Sequence, residues 1–339
     1  MRRALVTGAT GMLGARIVER LAGGGWSVRA LVRDPAAAAW LGALGVELVP
    51  GDLGDAACLR AAAAGCDAVF NAAAAIGTGA DHAAFRRVNV EGVGHLVTAV
   101  AAAGARLVHV SSTAVFGRHR YHARPTDETL PLPVLAAADA YGRSKQESER
   151  LVLTAHAQGR AWACVVRPPV MYGTRDRQLA PRLGPVLLRG VFPLIGGGRA
   201  RLPLVHADAV AEGAIRAASV ERAAGSVYHL TSDFEVSVGE LALYAARGLG
   251  RRVWRPRVPC VVGRAAFRAL ALGLIVAGRR DLAPHADGLL QMLTRDNPFS
   301  CERARRELAW SPQIRPAEGI PEAFRWWREH RGSTAAGRA

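Results

Sequence analysis

The chain has 339 residues, half of them hydrophobic, enough for one large domain or two closely joined ones around a well-filled core. Its five cysteines are odd in number and scattered, with no C-x-x-C pair and no histidine cluster at ligand spacing, which excludes a disulfide framework and a recognisable metal site. The formal charge of +16 comes from arginines spread along the whole length with few aromatics between them, a pattern that argues for background composition and against nucleic-acid binding.

Taken in chain order, Met1-Arg2-Arg3 runs straight into an apolar strand over residues 4–7, with no secretory apolar region ahead of it. The mature protein is therefore expected to start at Met1 and to be cytoplasmic. Further strands are expected at 28–32, 46–50, 68–71, 107–111 and 161–167, and helices between them at 12–22, 59–64, 85–103 and 145–158. Such alternation predicts an α/β fold, a doubly wound parallel sheet. After Arg167, Pro and Gly punctuate residues 168–203; a helix at 207–218 and a strand at 227–230 are expected to return to the sheet. Helices at 237–248, 260–278 and 301–307 follow. The expected organisation is a nucleotide-binding domain of residues 1–173 and 204–231, a smaller, mostly helical substrate lobe of residues 174–203 and 232–330, and an unstructured tail of residues 331–339.

The first strand meets the first helix in Gly8-Ala9-Thr10-Gly11-Met12-Leu13-Gly14. Gly8 permits a tight turn, Gly11 lets backbone N–H groups approach a pyrophosphate, and Gly14 allows close packing of helix on strand. The spacing is G-x-x-G-x-x-G rather than G-x-G-x-x-G, and the strand before it and helix after it supply the context that favours a dinucleotide site. Later comes Tyr141-Gly142-Arg143-Ser144-Lys145, in which Lys145 is the only lysine of the chain. A composition that uses arginine at every other basic position has kept an amine here. Residues four apart share a helix face, so a phenol and an ammonium lie side by side, and the cation lowers the phenol's pKa toward working pH.

With these two motifs the chain resembles the extended short-chain dehydrogenase/reductase family, whose members include NAD(P)-dependent epimerases and dehydratases, and most of all its 3β-hydroxysteroid dehydrogenase branch. The resemblance covers roughly residues 4–325. It implies a Rossmann fold and a catalytic set of Ser112, Tyr141, Lys145 and Asn89. Ser112 lies in Val110-Ser111-Ser112-Thr113-Ala114-Val115, and Asn89 falls where the family has an Asn that orders the lysine's proton relay. It further implies cofactor contacts at Gly8, Thr10, Gly11, Met12, Gly14, Asp52, Leu53, Asn71, Ala72, Ala73, Lys145, Pro168 and Val170. Substrate contacts are implied at Ala75, Ser112, Thr113, Tyr141 and Met171. The His206-Ala207-Asp208 segment is read as a structural pair.

NAD enzymes of this fold carry an acid at the end of the second strand. Here that position is Val32, followed by Arg33, a bidentate partner for a 2'-phosphate, so NADP(H) is expected and NAD(H), through Asp34, is the alternative. The register in which sugar-nucleotide enzymes carry a diphosphate-clamping Arg falls on Leu202, and Thr113-Ala114 stands where dehydratases have Asp-Glu. The expected activity is therefore interconversion of a ketone and a secondary alcohol on a small apolar substrate such as a steroid, a terpenoid or a β-keto compound. An NAD-dependent sugar-nucleotide epimerase and a non-catalytic dinucleotide sensor are the alternatives. Arg251-Arg252-Val253-Trp254-Arg255 before an apolar helix leaves peripheral membrane contact open, and a homodimer is likewise open.

Overall fold

Apolar runs too short for a helix, bounded by Gly or Asp, become the buried strands. A computed structural model describes residues 1–76, 82–117, 124–278 and 283–335. The first half runs β1 (Arg3–Thr7), α1 (Met12–Gly23), β2 (Ser27–Val32), α2 (Ala39–Gly42), β3 (Glu47–Pro50), α3 (Ala56–Ala63), β4 (Ala68–Asn71) and α4 (His82–Phe85). It continues through α5 (Gly92–Ala103), β5 (Arg106–Val110), α6 (Ala140–Ala157) and β6 (Trp162–Arg167). Next come β7 (Val170–Tyr172), α7 (Leu179–Leu188), β8 (Leu194–Ile195), β9 (Arg201–Leu202), β10 (Leu204–His206), α8 (Ala207–Ser219) and β11 (Val227–His229). The chain ends with β12 (Val236–Ser237), α9 (Val238–Gly248), β13 (Arg257–Val258), α10 (Cys260–Val276), α11 (Ala283–Thr294), α12 (Glu302–Leu308) and α13 (Pro316–Ala335).

Seven strands form one parallel sheet in the order β11-β6-β5-β4-β1-β2-β3. The order reverses between β1 and β4, and the crevice beyond the carboxyl ends of strands at such a switch point is where this architecture binds ligands. One apolar layer packs α1 and α8 against one face, through Ile17, Val18, Leu21, Val210 and Ala214. A second packs α3, α5 and α6 against the other, through Leu59, Leu96, Val97, Val100 and Val152. A third core, away from the sheet, joins α7, α9 and α13 through Leu187, Leu241, Ala245, Phe324 and Trp327.

Several elements differ from expectation. The helix expected over 85–103 is interrupted: Arg86–Glu91 is a π-helical segment between α4 and α5, the kind of insertion that recurs at functional sites. Helix α6 starts at Ala140, five residues before the expected 145, because Asp139 caps it by accepting from Gly142 N at 3.2 Å. Helices α2, α7, α11 and α13 were not anticipated at all. Helix α13 carries the chain to Ala335, into the stretch expected to be a tail from residue 331; residues 336–339 lie outside the described residues.

Candidate active site

The glycine turn closes at the end of β1 with Gly11 N donating to Gly8 O at 2.9 Å. Gly8 has φ +68°, a left-handed conformation, and a Cβ there would lie 2.7 Å from Ala73 N and 2.8 Å from the Ala72 carbonyl. A Cβ at Gly14 would overlap the Gly8 carbonyl itself, so this glycine lets α1 pack on the turn. At Gly11, by contrast, a Cβ would meet only Gly8 O, at 3.2 Å. Gly11 is the N-cap of α1, no side chain caps it, and Thr10 and Met12 beside it are partly exposed. The first turn of α1 therefore presents N–H groups and the positive end of the helix dipole in a cradle that a side chain would fill. The residues fit the pyrophosphate of a dinucleotide.

Across the switch point, β5 and α6 bring the candidate catalytic groups together. Lys145, 2% exposed, donates from Nζ to Val110 O at 2.8 Å, two residues before Ser112. Burial pulls its ammonium down from 10.5 to about 8, against the favourable charge of Glu149. The group stays charged at neutral pH yet sits close to its titration, where it can pass a proton on. Tyr141, one helical turn earlier and partly exposed, packs its ring on Phe85 at 5.9 Å. Ser112 caps the short helix Thr113–Phe116, its Oγ accepting from Ala114 N at 3.1 Å, which leaves its hydroxyl hydrogen to donate elsewhere.

Asn89 lies in the π-helical segment, 1% exposed. Its Oδ1 accepts from Ala75 N at 2.8 Å, and its Nδ2 donates to Ala75 O at 3.1 Å and to Ser144 Oγ at 3.0 Å. It pins the loop leaving β4, which carries Ala72, Ala73 and Ala75, to the helix that carries Tyr141 and Lys145. At the same strand ends, Thr7 Oγ1 donates to Asn71 Oδ1 at 2.7 Å, and Asn71 Nδ2 donates to His109 Nδ1 at 3.0 Å. That fixes the His109 proton on Nε2, which donates to Ser148 Oγ at 3.1 Å; Ser148 in turn donates to Lys145 O at 3.0 Å. A continuous buried chain thus ties the phosphate-side strand to the backbone of Lys145. Sequence reasoning missed His109 and Ser148, because a histidine inside Arg106-Leu107-Val108-His109-Val110 looks like any core strand position.

Among the remaining expected contacts, Pro168 is buried and its carbonyl accepts from Thr113 N at 3.1 Å, while Val170 is 44% exposed and Met171 half-buried beside it. Asp52 closes its own turn on Gly54 N at 2.7 Å, and Leu53 is buried, its carbonyl 3.2 Å from His95 Nδ1. Arg33 is exposed at the end of β2 and pairs with no carboxylate among the described residues. Asp34 turns back to accept from Ala36 N at 2.9 Å and Ala37 N at 3.1 Å. His206 and Asp208 do not pair with each other: His206 Nδ1 caps α8 by accepting from Asp208 N at 3.2 Å, and Asp208 binds Arg20 of α1 through both oxygens, at 2.8 and 2.7 Å. Behind the site, Arg167 and Glu149, 5% and 2% exposed, form a bidentate pair whose shortest bond is 2.6 Å. Its guanidinium stacks on Phe116 at 5.3 Å, and His229 stands edge-on to Phe116 and Phe299 with neither ring nitrogen paired among the described residues.

Burial holds three histidines neutral: His206 drops to about 4, His229 to about 3, helped by Arg167, and His109 well below 6.5, helped by Lys145. In the unfolded chain each takes a proton near pH 6.5. The unfolded state therefore binds more protons below that pH, and stability falls as pH drops from about 6.5 toward 4, by about 2 kcal/mol each for His206 and His229 by pH 5. Glu128 and Asp176, raised by burial, act in the opposite sense, so a single variant isolates the effect. His229→Phe is expected to lose about 2 kcal/mol less than wild type between pH 7 and 5 in urea unfolding; equal losses would show that His229 protonates freely in the native state.

Known proteins agree with this architecture. The NAD dependent epimerase/dehydratase family profile matches residues 4–230. A 4-hydroxy-2-methyl-3-oxo-4-farnesyl-3,4-dihydroquinoline-1-oxide ketoreductase of Stigmatella aurantiaca is 34% identical over 94% of both chains. A 3 beta-hydroxysteroid dehydrogenase/Delta 5-->4-isomerase of Mycobacterium tuberculosis is 29% identical over 96% of this chain and 90% of its own. A double mutant of DesIV, a dTDP-glucose 4,6-dehydratase from Streptomyces venezuelae solved with NAD, superposes with a TM-score of 0.75 at 25% identity, covering 98% of each chain. With the glycine turn at its switch point and Tyr141 and Lys145 on one helix, the chain belongs to the NAD-dependent epimerase/dehydratase family and is an NAD(P)-dependent enzyme of the extended short-chain dehydrogenase/reductase type.

Proposed function

We propose that the enzyme interconverts a ketone and a secondary alcohol on a small apolar substrate, using NADP(H). The observation that carries the reading is the joining of α6 to β5. Lys145, one helical turn from Tyr141, is fixed on the carbonyl of Val110, two residues before Ser112 at the end of β5. NADP(H), when bound along the glycine turn, supplies or removes a hydride at the substrate carbon. In reduction, the Tyr141 hydroxyl gives its proton to the substrate oxygen, and the Ser112 hydroxyl donates a hydrogen bond that holds that oxygen in place. The Lys145 ammonium stabilises the phenolate left behind and returns a proton to it. Asn89 acts as a positioning residue, through Ser144 and the loop at Ala75.

An apolar substrate is supported by the relatives named for a farnesylated quinoline oxide and for a steroid, and by Leu202, buried in a β9–β12 pair and so no diphosphate clamp. The family match and the dehydratase neighbour favour one second reading, a sugar-nucleotide epimerase with tightly held NAD. A screen of ketones and secondary alcohols with NADPH and NADP+, followed at the nicotinamide absorbance, tests the proposal. Co-purified NAD with turnover of a sugar nucleotide would favour the alternative.

Arg33 is the proposed partner of the 2'-phosphate. The acid next to it is occupied with its own turn, which leaves the guanidinium to set the local charge. Arg33→Asp is expected to weaken kcat/KM for NADPH about tenfold, the worth of a charge-assisted hydrogen bond, and to improve it for NADH. An unchanged ratio between the two cofactors would overturn the assignment.

A further inference from the structure

An ordinary surface helix turns its apolar stripe inward and its polar face to water. Helix α10 is apolar on both sides. Its inner face, Cys260, Gly263, Phe267, Ala271 and Leu274, lies against the body of the protein and α11. The opposite arc holds Val261, Val262, Ala265, Ala269, Leu272 and Val276, all apolar and all exposed; Val261 is 76%, Leu272 62% and Val276 88% exposed. Singly such residues mean little, but a contiguous apolar arc marks an interaction surface. The helix is no spanning segment: no helix among the described residues is long and apolar enough to cross a membrane.

The charge around this arc is one-sided. Residues 241–280 hold nine arginines and no aspartate or glutamate. Arg264 and Arg268 flank the apolar arc and, with Arg295 of the segment after α11, line a cavity of about 300 Å3 between the two helices. None of these three forms an ion pair among the described residues. Just before the helix, the Trp254 indole is 69% exposed beside Arg251, Arg252 and Arg255. Aromatic and basic groups at the rim of an apolar helix face are what an interfacial lipid anchor presents.

We propose that α10 docks the enzyme on anionic phospholipid bilayers, its apolar arc entering the acyl boundary and Arg264, Arg268 and Arg295 holding lipid phosphates. The occupant follows from the charge. A second copy of this chain would bring the same arginines face to face, whereas an anionic surface satisfies both the apolar arc and its rim. Docking does not depend on the reaction or on the cofactor, and its readout is binding alone.

The test is co-sedimentation of the whole protein with vesicles of phosphatidylcholine alone or mixed with phosphatidylglycerol, at low and high salt, with light scattering for oligomeric state. Wild type is expected to sediment with the anionic vesicles at low salt, to be released by salt, and to ignore pure phosphatidylcholine. Leu272→Glu with Val276→Glu, both exposed and so harmless to folding, is expected to abolish binding. Arg264→Gln and Arg268→Gln are each expected to weaken it about fivefold, the worth of one basic residue near such a surface. Thermal melts matching wild type confirm that the variants fold. Absence of sedimentation at low salt, equal binding by the variants, or a dimer dissolved by the Leu272→Glu change without any vesicle binding would each overturn the proposal.

Discussion

Replacing Tyr141 with phenylalanine is expected to leave dinucleotide binding intact and to cut turnover at least ~100-fold, the contribution of a well-placed acid or base. The change is conservative in every respect but one. The ring keeps its contact with Phe85, and the helix keeps its Asp139 cap and the Ser144 bond to the Tyr141 carbonyl, made at 2.8 Å. Only the hydroxyl goes, and with it the proton that the substrate oxygen must gain or lose. Stopped turnover combined with unchanged NADPH affinity, read by quenching or calorimetry, is the expected pair of results. Near wild-type turnover would remove Tyr141 from the chemistry. A joint loss of turnover and cofactor affinity would make it a positioning residue of the dinucleotide site.

How much of this was legible in the sequence depended on whether the signal was local. The glycine turn and the strands β1 to β6 were legible because a turn requirement and a short apolar run are written within a few residues. The start of α6 was not, because its cap, Asp139, follows a Pro- and Ala-rich stretch without apolar period. The π-helical segment was hidden for a related reason: one inserted residue shifts the register without leaving a mark in the composition. Helix α13 has its apolar stripe at helical spacing, Ile320, Ala323, Phe324 and Trp327, all buried, yet Pro316 and Pro321 read as breakers. Pro316 in fact opens the helix, where its missing N–H is harmless. The pairing of His109 with Asn71 and Ser148 joins residues far apart in sequence, and nothing in one sequence announces it. Helix α10 was recognisable as a helix, but which way its apolar arc faced depended on the placement of α11.

Lys145→Arg is expected to be nearly as damaging as Lys145→Ala, although it keeps the charge in a chain that uses arginine at every other basic position. The site is built around a compact group: the ammonium is buried against Val110 O at 2.8 Å, and Glu149, one turn further along α6, is already held by both arms of Arg167. A guanidinium there would be wider, planar and forked, would compete with Arg167 for Glu149, and could not release a proton near neutrality. Lysine can, because burial has brought it to about 8. The same burial makes Lys145 a stability cost. The unfolded chain keeps the lysine proton up to about 10.5 while the native state gives it up near 8, so stability rises as pH climbs through that window. At neutral pH the cost is about 3 kcal/mol, and Lys145→Met is expected to melt no lower than wild type while being inactive. That variant separates loss of function from loss of fold. Measuring Lys145→Arg and Lys145→Ala across a pH range then separates two roles of the amine. If the lysine only lowers the phenol's pKa, alkali restores the alanine variant and arginine works at neutral pH; if it also holds the ribose and relays the proton, neither rescue occurs, and the second outcome is the one expected.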